Sequence, residues 1–142
     1  MKLRIELIHQ QAKLPDYAHA GDAGMDVYSV ENAVLQPGER KLIKTGLRIQ
    51  LPPNTEAQMR PKSGLALKNG ITLLNTPGTI DEGYRGEVGV ILINHSDESY
   101  AVETGQKIAQ MVIMPVTRVQ VEKVEHLEDS DRGHGGFGST GV

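Results

Sequence analysis

What most constrains this chain is a series of short apolar runs, each closed by a turn containing Gly, Pro or Asn, at roughly ten-residue spacing. Lys2 to His9 alternates Leu3, Ile5 and Leu7 against Lys2, Arg4 and Glu6, the period-2 pattern of a half-buried strand. Further strands are predicted over Lys41 to Leu51, Thr55 to Arg60, Ile71 to Leu74, Val88 to Asn94, Glu98 to Val102, Gln106 to Met114 and Val116 to Glu125. Pro37-Gly38, Pro52-Pro53-Asn54, Asn75 to Gly78 and Thr104-Gly105 punctuate them. One helical segment breaks the series, Ser63 to Gly70. Ser63 is placed to cap it and Asn69-Gly70 to end it in the left-handed region, the alternative being a hairpin turn at Asn69-Gly70. The pattern predicts an all-β sandwich or jelly roll with one short helix.

Composition sharpens the expectation. The 142 residues include 16 Gly and 7 Pro but a single Phe and no Trp or Cys, so Val, Ile, Leu and Met must form the core. That supply is thin for a lone sandwich, and burial between subunits is expected. By length the chain is one domain, residues 1–130, followed by a Gly-rich tail, residues 131–142, whose composition predicts flexibility. A net charge of -3 without a basic run argues against a nucleic-acid polymer as partner. No apolar run approaches ~20 residues and the N-terminal stretch has no apolar signal core, so a soluble, cytoplasmic protein is expected.

Chemistry concentrates in a few stretches. Asn75 to Gly86 starts as a turn, places the carboxylate of Asp81 three residues before Tyr84, and leads into the most apolar strand. A loop fixed by a buried strand in this way commonly forms a pocket wall. Lys62-Ser63-Gly64 opens the helical turn and offers backbone N–H groups, a hydroxyl and a positive charge to an anion, unless Ser63 is an ordinary cap. Gln110 interrupts an apolar strand and needs a partner, in the protein or on a ligand. Asp26 and Asp81 are the carboxylates expected to be semi-buried, and turn capping is the simpler role for either. In the tail, Phe137 stands among glycines. It is either a packing anchor or the stacking surface of a lid whose glycine amides, with Arg132, Ser139 and Thr140, suit phosphate oxygens. Residues 133–138 spell G-x-G-x-x-G, but no helix follows, which excludes a dinucleotide fold. The five histidines lack metal-ligand spacing. On these grounds the chain is a β-domain suited to a phosphorylated planar ligand.

Five segments in order make the reading specific: Ala-Gly-Met-Asp-Val-Tyr-Ser (23–29), Pro-Lys-Ser-Gly-Leu-Ala (61–66), Gly-Thr-Ile-Asp-Glu-Gly-Tyr-Arg-Gly (78–86), Gly-Gln-Lys-Ile-Ala-Gln (105–110) and Arg-Gly-His-Gly-Gly-Phe-Gly-Ser-Thr-Gly (132–141). Together they resemble the trimeric dUTPases, the deoxyuridine triphosphate nucleotidohydrolases. The resemblance implies a jelly-roll-like homotrimer with three sites at subunit interfaces, cleaving dUTP to dUMP and pyrophosphate with Mg2+. Carried over by motif, Asp81 would be the general base for the attacking water and Tyr84 would pack under the deoxyribose. Asn75 and Gly78 would read uracil, while Lys62, Ser63, Gly64 and Gln110 would hold phosphates. Arg132, Gly138, Ser139 and Thr140 would close over the nucleotide with Phe137 stacked on the base. Asp26 would act on the metal indirectly, through water.

Two positions depart from the family pattern: Lys62 replaces the usual Arg, and Gly83 replaces a common Asp. The second feature resembles the related dCTP deaminases. Those enzymes need a Glu and an Arg where this chain has Ile91 and Leu67, which can neither move a proton nor carry charge. A non-catalytic nucleotide-binding or interaction protein of the same fold is the other alternative.

Overall fold

The structure, a computed structural model, describes residues 1–141. The chain folds as ten strands and one helix among the described residues: β1 (Arg4–Leu7), β2 (Met25–Tyr28), β3 (Ala33–Leu35), β4 (Arg40–Gln50), β5 (Thr55–Arg60), α1 (Ser63–Asn69), β6 (Ile71–Leu73), β7 (Gly78–Ile80), β8 (Glu87–Asn94), β9 (Tyr100–Val102) and β10 (Lys107–Pro115). They form two four-stranded antiparallel sheets, ordered β1-β4-β8-β6 and β2-β10-β5-β7, and a β3-β9 pair. This is the all-β, jelly-roll-like architecture expected.

Alternation dictates the layering. In β8, Val88, Val90, Leu92 and Asn94 are buried and the residues between them are half-buried. In β5, Thr55, Ala57 and Met59 are buried while Glu56, Gln58 and Arg60 lean outward. The inward rows of both sheets meet in a core of Val, Ile, Leu and Met, including Val27, Ile43, Leu47, Leu92, Ile108 and Met111. Among the described residues the buried cluster contains no aromatic ring, and Tyr100 packs against it partly buried. The buried amide of Asn94 is satisfied: its Nδ2 donates to the carbonyls of Leu35 at 3.0 Å and Glu98 at 2.7 Å.

The helix ends as predicted, with Gly70 at φ 65° and its N–H donated to the Ala66 carbonyl. That settles the choice against a hairpin, because the Gly70 N–H returns to carbonyls of the helix itself and Asn69 is the last helical residue. At the other end the cap position is Lys62, not Ser63, and no side chain caps the first turn.

Three elements differ from the sequence expectation. β3 and β7 are strands of three residues, too short for alternation to declare. The predicted strand over Val116 to Glu125 does not form. The Val116 N–H still donates to the Asn54 carbonyl at 3.0 Å, but beyond it the chain leaves the sheet, with Val119 and Val121 exposed. The apolar spacing of a strand is present there; a partner edge within the chain is not.

Candidate functional site

β10 organises the first part of the site, because it pairs with β2 on one side and β5 on the other. Gln110 stands opposite Asp26 across one ladder and opposite Arg60 across the other, and Lys107 stands opposite Tyr28. Asp26 is buried, with 6% of its side chain exposed, and both oxygens are taken. Lys62 donates to Oδ1, and Nζ of Lys107 lies 2.8 Å from Oδ2. Burial pushes the Asp26 carboxyl up, but the two ammonium groups outweigh it and leave the pKa below its ordinary value. The same contact raises the pKa of Lys107. Gln110 donates from Nε2 to the Pro61 carbonyl at 2.9 Å, which answers its need for a partner. It also leaves no room beside it: a Cβ on Gly24 would stand 3.0 Å from Gln110 Cδ.

These groups line a cavity of about 420 Å³, together with Ser63, His19 and Asp22. With its hydroxyl released from capping, Ser63 is exposed at the rim, and Gly64 faces open space. The first-turn N–H groups of α1 have no intrahelical partners. Two lysines, a hydroxyl, an amide and these N–H groups make the cavity suited to an anion.

The second part lies along β7 and β8. Asp81 follows β7, and its carbonyl accepts the Tyr84 N–H at 3.0 Å, closing the turn. The Tyr84 hydroxyl donates to the Glu87 carbonyl at 2.9 Å, so the ring lies folded over Gly86. Asp81, Tyr84 and Ile91 share a groove of about 260 Å³. Earlier in the hairpin, a Cβ on Gly78 would stand 3.0 Å from Asn75 Nδ2, so those two groups are adjacent. Asp81 is exposed, not semi-buried, since nothing within one chain covers the turn. Gly83 also faces open space, so the missing Asp leaves no hole. Ile91 is apolar in the groove wall, and Leu67 is exposed on α1.

The tail forms a third part, separate from both. Arg132 Nε donates to the Gly135 carbonyl at 2.8 Å, and successive turns join Gly136 to Ser139 and Gly138 to Gly141. Phe137 is fully exposed, which removes the packing-anchor alternative within this chain. No described tail residue lines either cavity. Val142, the end of the predicted tail, lies outside the described residues. Thus Asp26, Lys62, Ser63 and Gln110 come together, with Gly64 following Ser63 outside the cavity lining, as do Asn75 with Gly78 and Asp81 with Tyr84. Arg132, Phe137, Gly138, Ser139 and Thr140 do not join them.

Lys107 is the residue that sequence reasoning passed over. No local pattern marks it: Ile108 and Ala109 are both buried because the β2–β10 register shifts there, a feature of the pairing. Among the described residues, no group of three or more His, Cys, Asp or Glu side chains could hold a metal ion, and no helix is long and apolar enough to cross a membrane.

Fold and site together define a β-domain with an anion-receptive cavity and a separate carboxylate–tyrosine groove. The dUTPase family model matches residues 10–141, and the chain belongs to that family. A deoxyuridine 5'-triphosphate nucleotidohydrolase of Clostridium tetani is 62% identical over 139 residues, covering 98% of this chain and 96% of the relative. One from Gloeothece citriformis is 61% identical over 142 residues, covering 100% and 98%. Among solved structures, the Staphylococcus bacteriophage 80alpha dUTPase with dUpNHpp superposes with a TM-score of 0.92 at 31% identity, covering 99% of each chain. A dUTPase variant from phage phi11 of S. aureus, whose structure concerns the coordination of a structural Mg(II) ion, superposes at 0.84 and 26% identity, covering 91% of this chain and 100% of that one.

Proposed function

We propose that this chain is a dUTP diphosphatase, cleaving dUTP to dUMP and pyrophosphate and so limiting uracil incorporation into DNA while supplying dUMP for dTMP synthesis. The observation that carries the reading is the exposed Asp81 held beside Tyr84, on a hairpin that also presents Asn75 and Gly78. Asp81 accepts a proton from water as it attacks the α-phosphorus, a step for which a carboxylate within hydrogen-bond reach is suited. Tyr84, tied down through its hydroxyl, presents its ring to the deoxyribose and disfavours a 2′-hydroxyl. Asn75 and the backbone at Gly78 pair with the uracil edge and reject cytosine by leaving polar groups unpaired.

Lys62, Ser63, Gly64 and Gln110 hold phosphate oxygens. The tail closes last, with Arg132, Gly138, Ser139 and Thr140 on the nucleotide and Phe137 stacked on the base. We take residues 1–130 as the folded domain and 131–142 as the lid. The cytoplasm is the proposed compartment.

The register of β5 supports a homotrimer with shared sites. Ile80, next to Asp81, pairs with Ala57, whereas Lys62 lies past the far end of β5, at the start of α1. The groove that Asp81 and Tyr84 line includes none of the phosphate-floor residues, and the cavity that Lys62 and Gln110 line includes neither Asp81 nor Tyr84. The floor of one chain then serves the hairpin of the next.

The donor set fits magnesium only as a companion of the triphosphate. Lacking a carboxylate cluster, the chain would hold it indirectly, through Asp26, whose carboxylate has about four acceptor positions and uses two on the lysines. When bound, the ion neutralises phosphate charge. Incubation with dUTP, dCTP, dTTP and UTP in magnesium tests the whole reading. Pyrophosphate from dUTP alone supports it; ammonia from dCTP, or no turnover, removes it.

A further inference from the structure

Lys62 leaves a chemical deficit. An ammonium group is one point of positive charge, where the guanidinium usual at this position offers a planar two-point fork to phosphate. Lys107 lines the same cavity and offers a second point of charge. It reaches Asp26 from the opposite side to Lys62, and the two ammonium groups occupy different oxygens of one buried carboxylate. That shared partner fixes their separation and holds both at the cavity wall with Gln110.

Backbone geometry accounts for its position. In a regular strand, residues three apart point to opposite faces. The register of β10 shifts between Lys107 and Ala109, so Lys107 pairs with Tyr28 while Gln110 pairs with Asp26. Tyr28 and Asp26 are two residues apart and share a face, and their cross-strand partners Lys107 and Gln110 therefore lie on that same face. Ile108 and Ala109 are both buried in the bulge. Bulges commonly re-aim side chains beside active sites. The lysine also remains half-exposed, so its ammonium group can donate to a ligand oxygen.

We infer that Lys107 is a second phosphate-binding cation, acting with Lys62 as a two-lysine clamp set by Asp26, which supplies the two-point grip that Lys62 alone lacks. The inference rests on the proposed dUTP reading and adds a substrate-contacting residue to it. Both lysines keep their hydrogen bonds to Asp26 and offer remaining N–H donors to oxygens of the triphosphate, since each ammonium has three.

The test uses the full-length protein and four forms: parent, Lys107→Gln, Lys62→Arg, and Lys62→Arg with Lys107→Gln. KM and kcat for dUTP, and the affinities of dUpNHpp and dUMP, are measured after thermal unfolding has shown that each form is folded. Loss of one charge-assisted contact should raise KM and weaken dUpNHpp about tenfold or more in Lys107→Gln, with a much smaller change for dUMP. Lys62→Arg should restore most of that loss, because the fork replaces the missing arm; a merely structural lysine would not be rescued in this way. Should Lys107→Gln fail to fold, Lys107→Met and Lys107→Arg take its place, the first expected to behave like Gln and the second like the parent. An unchanged KM in a folded variant, equal losses for dUMP and dUpNHpp, or no rescue by Lys62→Arg overturns the clamp while leaving the dUTP reading intact. A parent protein that does not turn over dUTP overturns both.

Discussion

Asp81 and Lys62 stand at opposite ends of the β5–β7 pair. Ile80, immediately before Asp81, pairs with Ala57, while Lys62 lies beyond the last β5 residue, Arg60. A single chain therefore presents a carboxylate groove at one end of the pair and a cationic floor at the other. Each half is exposed and each lacks what the other supplies.

If Asp81 is the base, removing its charge should spare binding. Asp81→Asn is expected to bind dUpNHpp with affinity near the parent and to lose roughly 10²–10⁴ of kcat. Equilibrium binding and initial rates measured on the same preparation check this; substantial turnover would remove Asp81 from the role.

Gly24 is required by the closeness of Gln110. Gly24→Ala places a methyl group 3.2 Å from Gln110 Cβ and nearer still to its amide, so the Gln110–Pro61 hydrogen bond has to break. We expect KM for dUTP to rise roughly tenfold, with a stability loss of about 1–3 kcal/mol from overcrowding. Denaturant unfolding and steady-state kinetics separate the two effects.

The pH dependence follows from Asp26. Its carboxyl titrates below the ordinary value of 3.8 in the folded state, so the unfolded chain binds a proton first as acid is added. The stability its ion pairs contribute is fully present above pH 3.8 and is lost as pH falls through the lower folded-state value. Asp26→Asn should be less stable than the parent at neutral pH, and the difference should shrink in acid. Unfolding midpoints compared from neutral pH to pH 3 check the direction.

Phe137 is fully exposed. Phe137→Ala should leave the unfolding midpoint within the range of an ordinary surface change, about 0.5 kcal/mol, but weaken dUpNHpp by the ~1–3 kcal/mol of base stacking. Removal of residues 132–142 should likewise keep the fold and abolish most activity. A large loss of stability in either form would mean that the tail belongs to the core.

How much of this was legible depended on whether physics acted locally. β5 and β8 show their alternation in the sequence, and Gly70 announces the end of α1 because glycine is the residue favoured at a left-handed helix end. Val116 to Glu125 has the spacing of a strand but no edge to join, a fact that no local pattern contains. β3 forms because Ala33 to Leu35 finds Tyr100 to Val102, a pairing remote in sequence. The motif residues could be named from the resemblance. Lys107 could not, because its direction is set by a bulge that shows only once β2 fixes the register.

The most direct test of the shared site is complementation. Asp81→Asn and Lys62→Ala are each purified, shown to be nearly inactive, then unfolded together and refolded as a mixture. If each site takes its carboxylate from one chain and its floor from another, mixed assemblies contain some sites with both groups intact, and activity should return to about a quarter of the parental value for random mixing. Activity no higher than the sum of the separate variants, in a mixture shown by mass to contain mixed trimers, would contradict the account.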